Sequence, residues 1–299
     1  LDTAGRLVRF MLKPQWWTPE MEPRAVVGAE HAHFMHHIHS YIRGLWGILE
    51  YATITNDSRV KAFVRDGYEY TRNFGIARIG LFGETCGMGE MVCLAIKLCD
   101  AGVGDYWEDV DQYVRNHLVE TQLLRADLLE KISEAGPVIP NISPIWETGD
   151  RVIERNIGTL TGDATHTSRL APKWCICCVA NGLIGFYHAW EGTVRSEEGV
   201  AQVNLLLNRA SPWLDVDSYL PYEGRVVIRN KTAEKIVVRI PRWVDKEAVG
   251  SSITGKEAKT FWLGNYLVFE SVDEKAVVTI EFPMVETTET HSHGWEGLK

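Results

Sequence analysis

One change of hydrophobic period, near residue 195, divides this chain into two kinds of secondary structure. Upstream, apolar residues recur three and four positions apart. Ile42, Leu45, Trp46, Leu49 and Tyr51 form one stripe, Val60, Phe63, Val64 and Tyr68 a second, and Met91, Leu94, Ala95 and Leu98 a third. Such stripes predict helices that each bury one face against the others. Leu7, Val8, Phe10, Met11 and Leu12 predict another helix, already under way as the chain opens at Leu1. Breaks are expected at Thr55-Asn56-Asp57, from Gly80 to Gly83, from Asp100 to Asp105, and from Gly136 to Asp150, where Pro137, Pro140 and Pro144 interrupt any helix.

After Glu197-Glu198-Gly199 the residues alternate apolar with polar or are dense in β-branched types. Strands are predicted at Val200 to Leu207, Arg225 to Arg229, Lys235 to Ile240, Tyr266 to Glu270 and Ala276 to Phe282. Tyr222-Glu223-Gly224 and Asn230-Lys231-Thr232 read as turns between them. Five or more short strands cover their apolar faces most simply as an antiparallel β-sandwich. The expectation is a helical domain over residues 1–195 and a β domain over 196–299, mainly α with C-terminal β. Thr287 to Lys299 has no periodicity and is expected to be a loop or a frayed end.

With 45% hydrophobic and 24% charged residues over 299 positions, the chain is neither disordered nor collagen-like. No apolar stretch approaches the roughly 18 residues of a membrane span, so a soluble protein is expected. The net charge of −9 argues against a nucleic-acid backbone as partner and leaves a neutral or small polar ligand. Eleven Trp and ten Tyr can floor a sugar site, although such rings also fill ordinary cores.

The six cysteines show no disulfide framework, which tilts the expected location towards the cytoplasm. Cys93 and Cys99 sit in an apolar helical run, where a thiol behaves as a small hydrophobe. Trp174-Cys175-Ile176-Cys177-Cys178 differs, because repeated soft donors either cross-link or bind metal, and a vicinal disulfide is strained. Zinc takes four tetrahedral ligands, so Cys177 and Cys178 need two partners from elsewhere, and Glu84-Thr85-Cys86 offers a Glu and a Cys two positions apart.

Other stretches accompany these two in a fixed order. Met91 stands five positions past Cys86, and Tyr106 precedes Asp109-Val110. Cys177-Cys178-Val179-Ala180-Asn181 comes next, followed by Tyr222-Glu223-Gly224-Arg225-Val226, Arg239-Ile240-Pro241-Arg242-Trp243 and Phe282-Pro283-Met284. Over about residues 30 to 287 the series resembles glycoside hydrolase family 127, the β-L-arabinofuranosidase-like group, with Val179 and Ala180 where the family has two prolines. The resemblance implies an (α/α)6 toroid followed by β-sandwich domains, in enzymes about twice this length, so that half a toroid is expected upstream of Leu1.

It further implies a Zn2+ ion held by Glu84, Cys86, Cys177 and Cys178, with Cys177 as the nucleophile of a retaining glycosidase acting on a carbohydrate substrate. Zinc keeps a thiol in its nucleophilic thiolate form, and attack on the anomeric carbon gives a thioglycosyl intermediate. Cys175 lies outside the motif and reads as a neighbour. His31, His33, His36, His37 and His39 form a dense run that on its own suggests metal binding. Counting back from Thr55-Asn56-Asp57, the resemblance instead makes His37 a sugar-hydroxyl contact. Trp146, Trp174, His166 and Arg169 are further candidates for lining the pocket.

The general acid/base is where the chain departs from the family. Its Glu stands in a Gly-rich loop about sixteen residues before the zinc Glu, and here that position is Tyr68. Glu69 is the nearest carboxylate, on a helix expected to run to Phe74, and Arg72 to Gly83 looks short for the loop. Either Glu69 takes the role, or Glu90 or Glu147 does, or the chemistry is altered. A non-catalytic sugar-binding or structural relative with a structural zinc site is therefore an alternative, as is a non-hydrolytic sugar-modifying enzyme.

Overall fold

Period-3.6 stripes become helices wherever a cap or a turn residue frames them. In a computed structural model, residues 1–13, 38–135, 151–161 and 176–291 are described. His31, His33, His36, His37, the three prolines from 137 to 144, Trp146, Glu147, His166, Arg169, Trp174 and Cys175 lie outside the described residues, as does the side chain of Cys177. The described chain divides into two compact units, one up to Phe186 and one from Tyr187 onward.

The first unit is helical. After α1 (Asp2–Met11) come α2 (Ile38–Ile54) and α3 (Ser58–Arg72), separated by the expected break at Thr55-Asn56-Asp57. Asp57 starts α3 by accepting from the backbone N–H groups of Arg59 and Val60 at 3.1 and 3.0 Å, satisfying donors that have no partner inside the helix. α2 buries Tyr41, Ile42, Leu45, Ile48, Leu49 and Ala52. A hairpin of β1 (Gly75–Ile76) and β2 (Leu81–Phe82) closes around a 3-10 turn, so the segment after α3 is a tight reversal.

The next helix, α4 (Thr85–Asp100), is buried over nearly all its circumference, as its almost unbroken run of small and apolar residues requires. It is followed by α5 (Trp107–Tyr113), which continues into a π turn at Val114–Leu118, and by α6 (Ala126–Ala135) and α7 (Val152–Asn156). α8 (Ile176–Gly192) carries the second cysteine motif and leads into the β region. Among the described residues no helix is long and apolar enough to cross a membrane.

The second unit holds two sheets. One has six strands in the order β10 (Lys256–Glu257), β9 (Gly250–Ile253), β13 (Val277–Glu281), β7 (Arg225–Asn230), β6 (Leu214–Ser218) and β5 (Arg209–Ala210). The other has five, in the order β11 (Thr260–Leu263), β12 (Tyr266–Phe269), β8 (Lys235–Arg239), β4 (Val200–Val203) and β3 (Val194–Glu197). Val216, Val226, Ile228, Val278 and Ile280 from the first sheet share one core with Val203, Ile236, Val238, Leu267 and Phe269 from the second. Each fully buried Val, Ile or Leu contributes about 1.5–3 kcal/mol relative to exposure.

Two expectations need correction here. The β region is not purely antiparallel, because β4 pairs with β8 in parallel, Val200 opposite Lys235 through Val203 opposite Val238. Alternation along a strand specifies its faces but not the direction of its neighbour. The strand expected to run to Leu207 also stops at Val203: Asn204 still donates in register to the Thr193 carbonyl, but its own carbonyl is taken by the Arg239 side chain at 2.6 Å and its amide turns to the Gly192 carbonyl.

Stretches that carry the resemblance meet in this unit. The backbone N–H of Phe282 donates to the Gly224 carbonyl at 2.8 Å, and the Trp243 ring meets the Phe282 ring edge-on at 5.7 Å. A Cβ on Gly224 would stand 1.9 Å from the Phe282 carbonyl oxygen, so the close strand approach requires glycine there.

Candidate metal centre

Two helix starts, far apart in sequence, present the same kind of side chain to one point. Glu84 is the N-cap residue of α4, yet it makes no capping hydrogen bond to its own helix. Cys86 follows in the first turn of α4, and Cys178 lies in the first turn of α8. Helix N-termini carry partial positive charge and unsatisfied N–H groups, surroundings that suit anionic side chains.

Glycine lets these helices touch. A Cβ on Gly89 would lie 2.2 Å from the Asn181 carbonyl oxygen, and one on Gly185 would lie 2.8 Å from the Gly89 Cα. Any larger residue at this crossing would push the backbones apart and separate the two motifs. With glycine present, the sulfurs of Cys86 and Cys178 come to 3.1 Å, and Cys178 Sγ lies 3.8 Å from Glu84 Oε1. All three donor atoms fall within 4.8 Å of one another. Both cysteines are free thiols and both are buried.

This donor set fits a tetrahedral thiophilic ion. Zinc ligation puts two sulfurs about 3.8 Å apart, and a sulfur and a carboxylate oxygen about 3.5 Å apart. The Glu84–Cys178 spacing is already close to that value, and the two sulfurs would part by roughly 0.7 Å. Three donors also leave a fourth position to be filled.

Behind the three donors lies a buried polar chain. Glu90, one helical turn beyond Cys86, is fully buried among apolar residues of α4. Its carboxylate lies 2.8 Å from His39 Nδ1 and 2.8 Å from Arg43 Nε, both on α2. Burial pushes the Glu90 carboxyl above the ordinary range, the His39 and Arg43 side chains pull it back, and the charge of Glu84 adds to the rise. Arg43 Nη2 donates to Asn181 Oδ1 at 3.0 Å, and Asn181 Nδ2 donates to Cys86 Sγ at 3.4 Å.

The sequence-derived residues are thus distributed as follows. Glu84, Cys86 and Cys178 come together, whereas His37 and the Cys177 side chain lie outside the described residues. Glu69 is on α3 and takes part in a different cluster. Tyr106 Oη donates to it at 2.8 Å and Arg72 pairs with it at 2.7 Å. Arg72 also pairs with Asp109 at 2.8 Å, and Tyr68 Oη donates to Asp109 at 2.9 Å. Arg43 is the residue that motif reading missed. Its signal was a single carboxylate inside an apolar helical run, Met88-Gly89-Glu90-Met91-Val92, which demands a buried partner.

No family model and no curated protein matches the chain. Solved structures do match in fold. A GH127 β-L-arabinofuranosidase from Geobacillus stearothermophilus T6 is similar over 93% of this chain and 47% of its own, at 13% identity and a TM-score of 0.52. A GH127 β-arabinofuranosidase, BT3674, is similar over 92% of this chain and 46% of its own, at 14% identity and a TM-score of 0.62. A third structure, described as a glycoside hydrolase, covers 83% of this chain and 47% of its own at 13% identity and a TM-score of 0.57. The chain has a GH127-like fold and spans about half the length of these structures.

Proposed function

We propose that this chain carries the metal-bearing part of a zinc-dependent retaining glycoside hydrolase of the β-L-arabinofuranosidase type, which releases terminal sugars from glycans. The single observation that carries this reading is the convergence of Glu84, Cys86 and Cys178 from two distant stretches onto one point, within a GH127-like fold. In this reading the helices belong to an (α/α)6-type toroid and the two sheets form a β-sandwich.

Glu84, Cys86, Cys177 and Cys178 would hold the zinc, which supplies the electrophilic charge that keeps thiols ionised at neutral pH. Cys177 is the proposed nucleophile. Its sulfur bonds to the anomeric carbon as the glycosidic C–O bond breaks, and a general acid protonates the departing oxygen. Water then attacks the same carbon, the conjugate base takes its proton, and the thiolate leaves, so two inversions give retention. Glu69 is the proposed acid/base, held in one orientation by Tyr106 and Arg72. His37 is the proposed sugar-hydroxyl contact.

A second reading draws on the hairpin after α3. Gly75–Ile76 pairs directly with Leu81–Phe82, leaving a tight turn where the resemblance calls for a Gly-rich loop bearing the acid/base. A non-catalytic sugar-binding relative with a structural zinc site accounts for that. Cys177→Ser separates the two. Lost turnover of activated arabinofuranosides with fold and zinc retained supports the nucleophile; wild-type protein that binds zinc and sugar without turnover supports the second reading. Glu69→Gln should lose hydrolysis of natural glycosides and recover it with an activated leaving group, and unchanged rates would remove Glu69 from the mechanism.

A further inference from the structure

We infer that Arg43 and Asn181 are positioning residues for the metal site, and that Glu90 is the buried anchor that holds them in place. This rests on the reading that Glu84, Cys86 and Cys178 bind a divalent metal.

The amide of Asn181 has one face that accepts and one that donates. Arg43 can only donate, and its Nη2 stands 3.0 Å from the amide oxygen, so the guanidinium fixes which way the amide points. Nδ2 is left facing the Cys86 sulfur at 3.4 Å. An N–H aimed at sulfur stabilises a thiolate and orients its lone pairs, the usual task of groups just behind a metal's ligands.

Arg43 is itself held by a charge. Its Nε pairs with Glu90 at 2.8 Å while its Nη2 reaches Asn181, so one rigid fork bridges carboxylate and amide. A lysine, as a single point charge, cannot span both. Glu90 is completely buried, and His39 grips its other oxygen at 2.8 Å. A charge is not kept in an apolar helix without strong compensation. Here α2, α4 and α8 each contribute to the chain of contacts that ends on Cys86.

The test uses Co2+ and Zn2+ alone, with the whole chain. Wild-type protein titrated with Co2+ should develop a sulfur-to-cobalt charge-transfer band, and Zn2+ affinity follows from competition against a chromophoric chelator. Arg43→Met and Asn181→Leu should weaken Zn2+ binding about 10–100-fold and shift the cobalt band; melting of the metal-free protein should change little in Asn181→Leu and fall in Arg43→Met, which leaves buried Glu90 without its cation. Arg43→Lys should fail to restore either. Glu90→Gln should do the same; should it or Arg43→Met not fold, Asn181→Leu carries the test, since it removes no charge from the buried pair. Variants with wild-type affinity and an unshifted band would overturn the inference alone. No cobalt band in the wild type would overturn the metal reading and this inference with it.

Discussion

The sulfurs of Cys86 and Cys178 stand 3.1 Å apart, 92 positions distant in sequence, with Glu84 Oε1 3.8 Å from the second of them. Two buried thiols and a half-buried carboxylate packed together repel one another once ionised, and a divalent cation relieves that repulsion. Protein prepared without chelators should therefore carry close to one zinc per chain by elemental mass spectrometry. The double variant Cys86→Ser/Cys178→Ser should bring it near zero. Chelation should lower the melting temperature, because free metal at 100 times its dissociation constant stabilises the folded state by about 2.7 kcal/mol. Zinc content near zero in wild-type protein with all thiols titratable would remove the metal from the account.

Gly89 is the second control point. An alanine there places its Cβ 2.2 Å from the Asn181 carbonyl oxygen, a backbone atom that cannot swing aside. Overpacking of this kind costs about 1–3 kcal/mol, and the displacement would move Asn181 and Cys178 away from Cys86. Gly89→Ala should lower the urea midpoint and weaken zinc binding together. Gly102→Ala would be a poorer comparison, because its positive φ of 70° brings backbone strain of its own. Asp57→Ala is better: losing the α3 cap should cost about 1 kcal/mol and leave zinc affinity unchanged.

Much of the helical unit was legible from spacing alone, since Ile42, Leu45 and Leu49 bury the face their period indicates. Glu84, Cys86 and Cys178 were legible because few residue types bind a soft metal. Arg43 was not: its role depends on α2 passing beside α4, a tertiary fact with no local signal beyond the lone Glu90. Among the strands, Leu214–Ser218 alternates as a strand should, but two aspartates lower its propensity. Gly250–Ile253 is a strand through its pairing with β13 and β10, since Gly and Ser carry little strand preference.

Arg72 links two carboxylates, and removing it should expose the difference between them. Burial already raises the Asp109 carboxyl, with Arg72 and the Tyr68 hydroxyl pulling it down. Arg72→Met leaves that buried acid without its cation, and breaking such a pair costs about 3–5 kcal/mol when fully buried; partial exposure of Arg72 places the loss near the lower end. Because the folded-state carboxyl then rises further, the loss should be largest at neutral pH and shrink as pH falls towards the ordinary carboxylate range. Asp109→Asn in the same chain should recover much of it. A deficit independent of pH would mean that Arg72 acts through packing alone.

Cys93 and Cys99 give the opposite end of the pH scale. Burial pushes both thiols up to about 12 from 9.0, although Cys99 receives a 3.1 Å hydrogen bond from the Tyr106 N–H. A thiol harder to ionise in the folded state than in the unfolded one lends stability that is intact below pH 9 and lost as pH rises towards 12. Above about pH 9.5 the decline should approach 1.4 kcal/mol per pH unit for each thiol. Between pH 9 and 9.5 the thiols contribute the larger share, because the buried Tyr41, Tyr68, Tyr106 and Tyr113 hydroxyls have an ordinary value of 10.0 and are ionised only in minor part in the unfolded chain there. Urea unfolding across that window should therefore show a slope that falls by about a third in Cys93→Ala and by about a third in Cys99→Ala. The slope decides the matter rather than the absolute stability, since alanine also removes packing from α4. An unchanged slope in both variants would mean these two thiols ionise as readily in the folded chain as in the unfolded one.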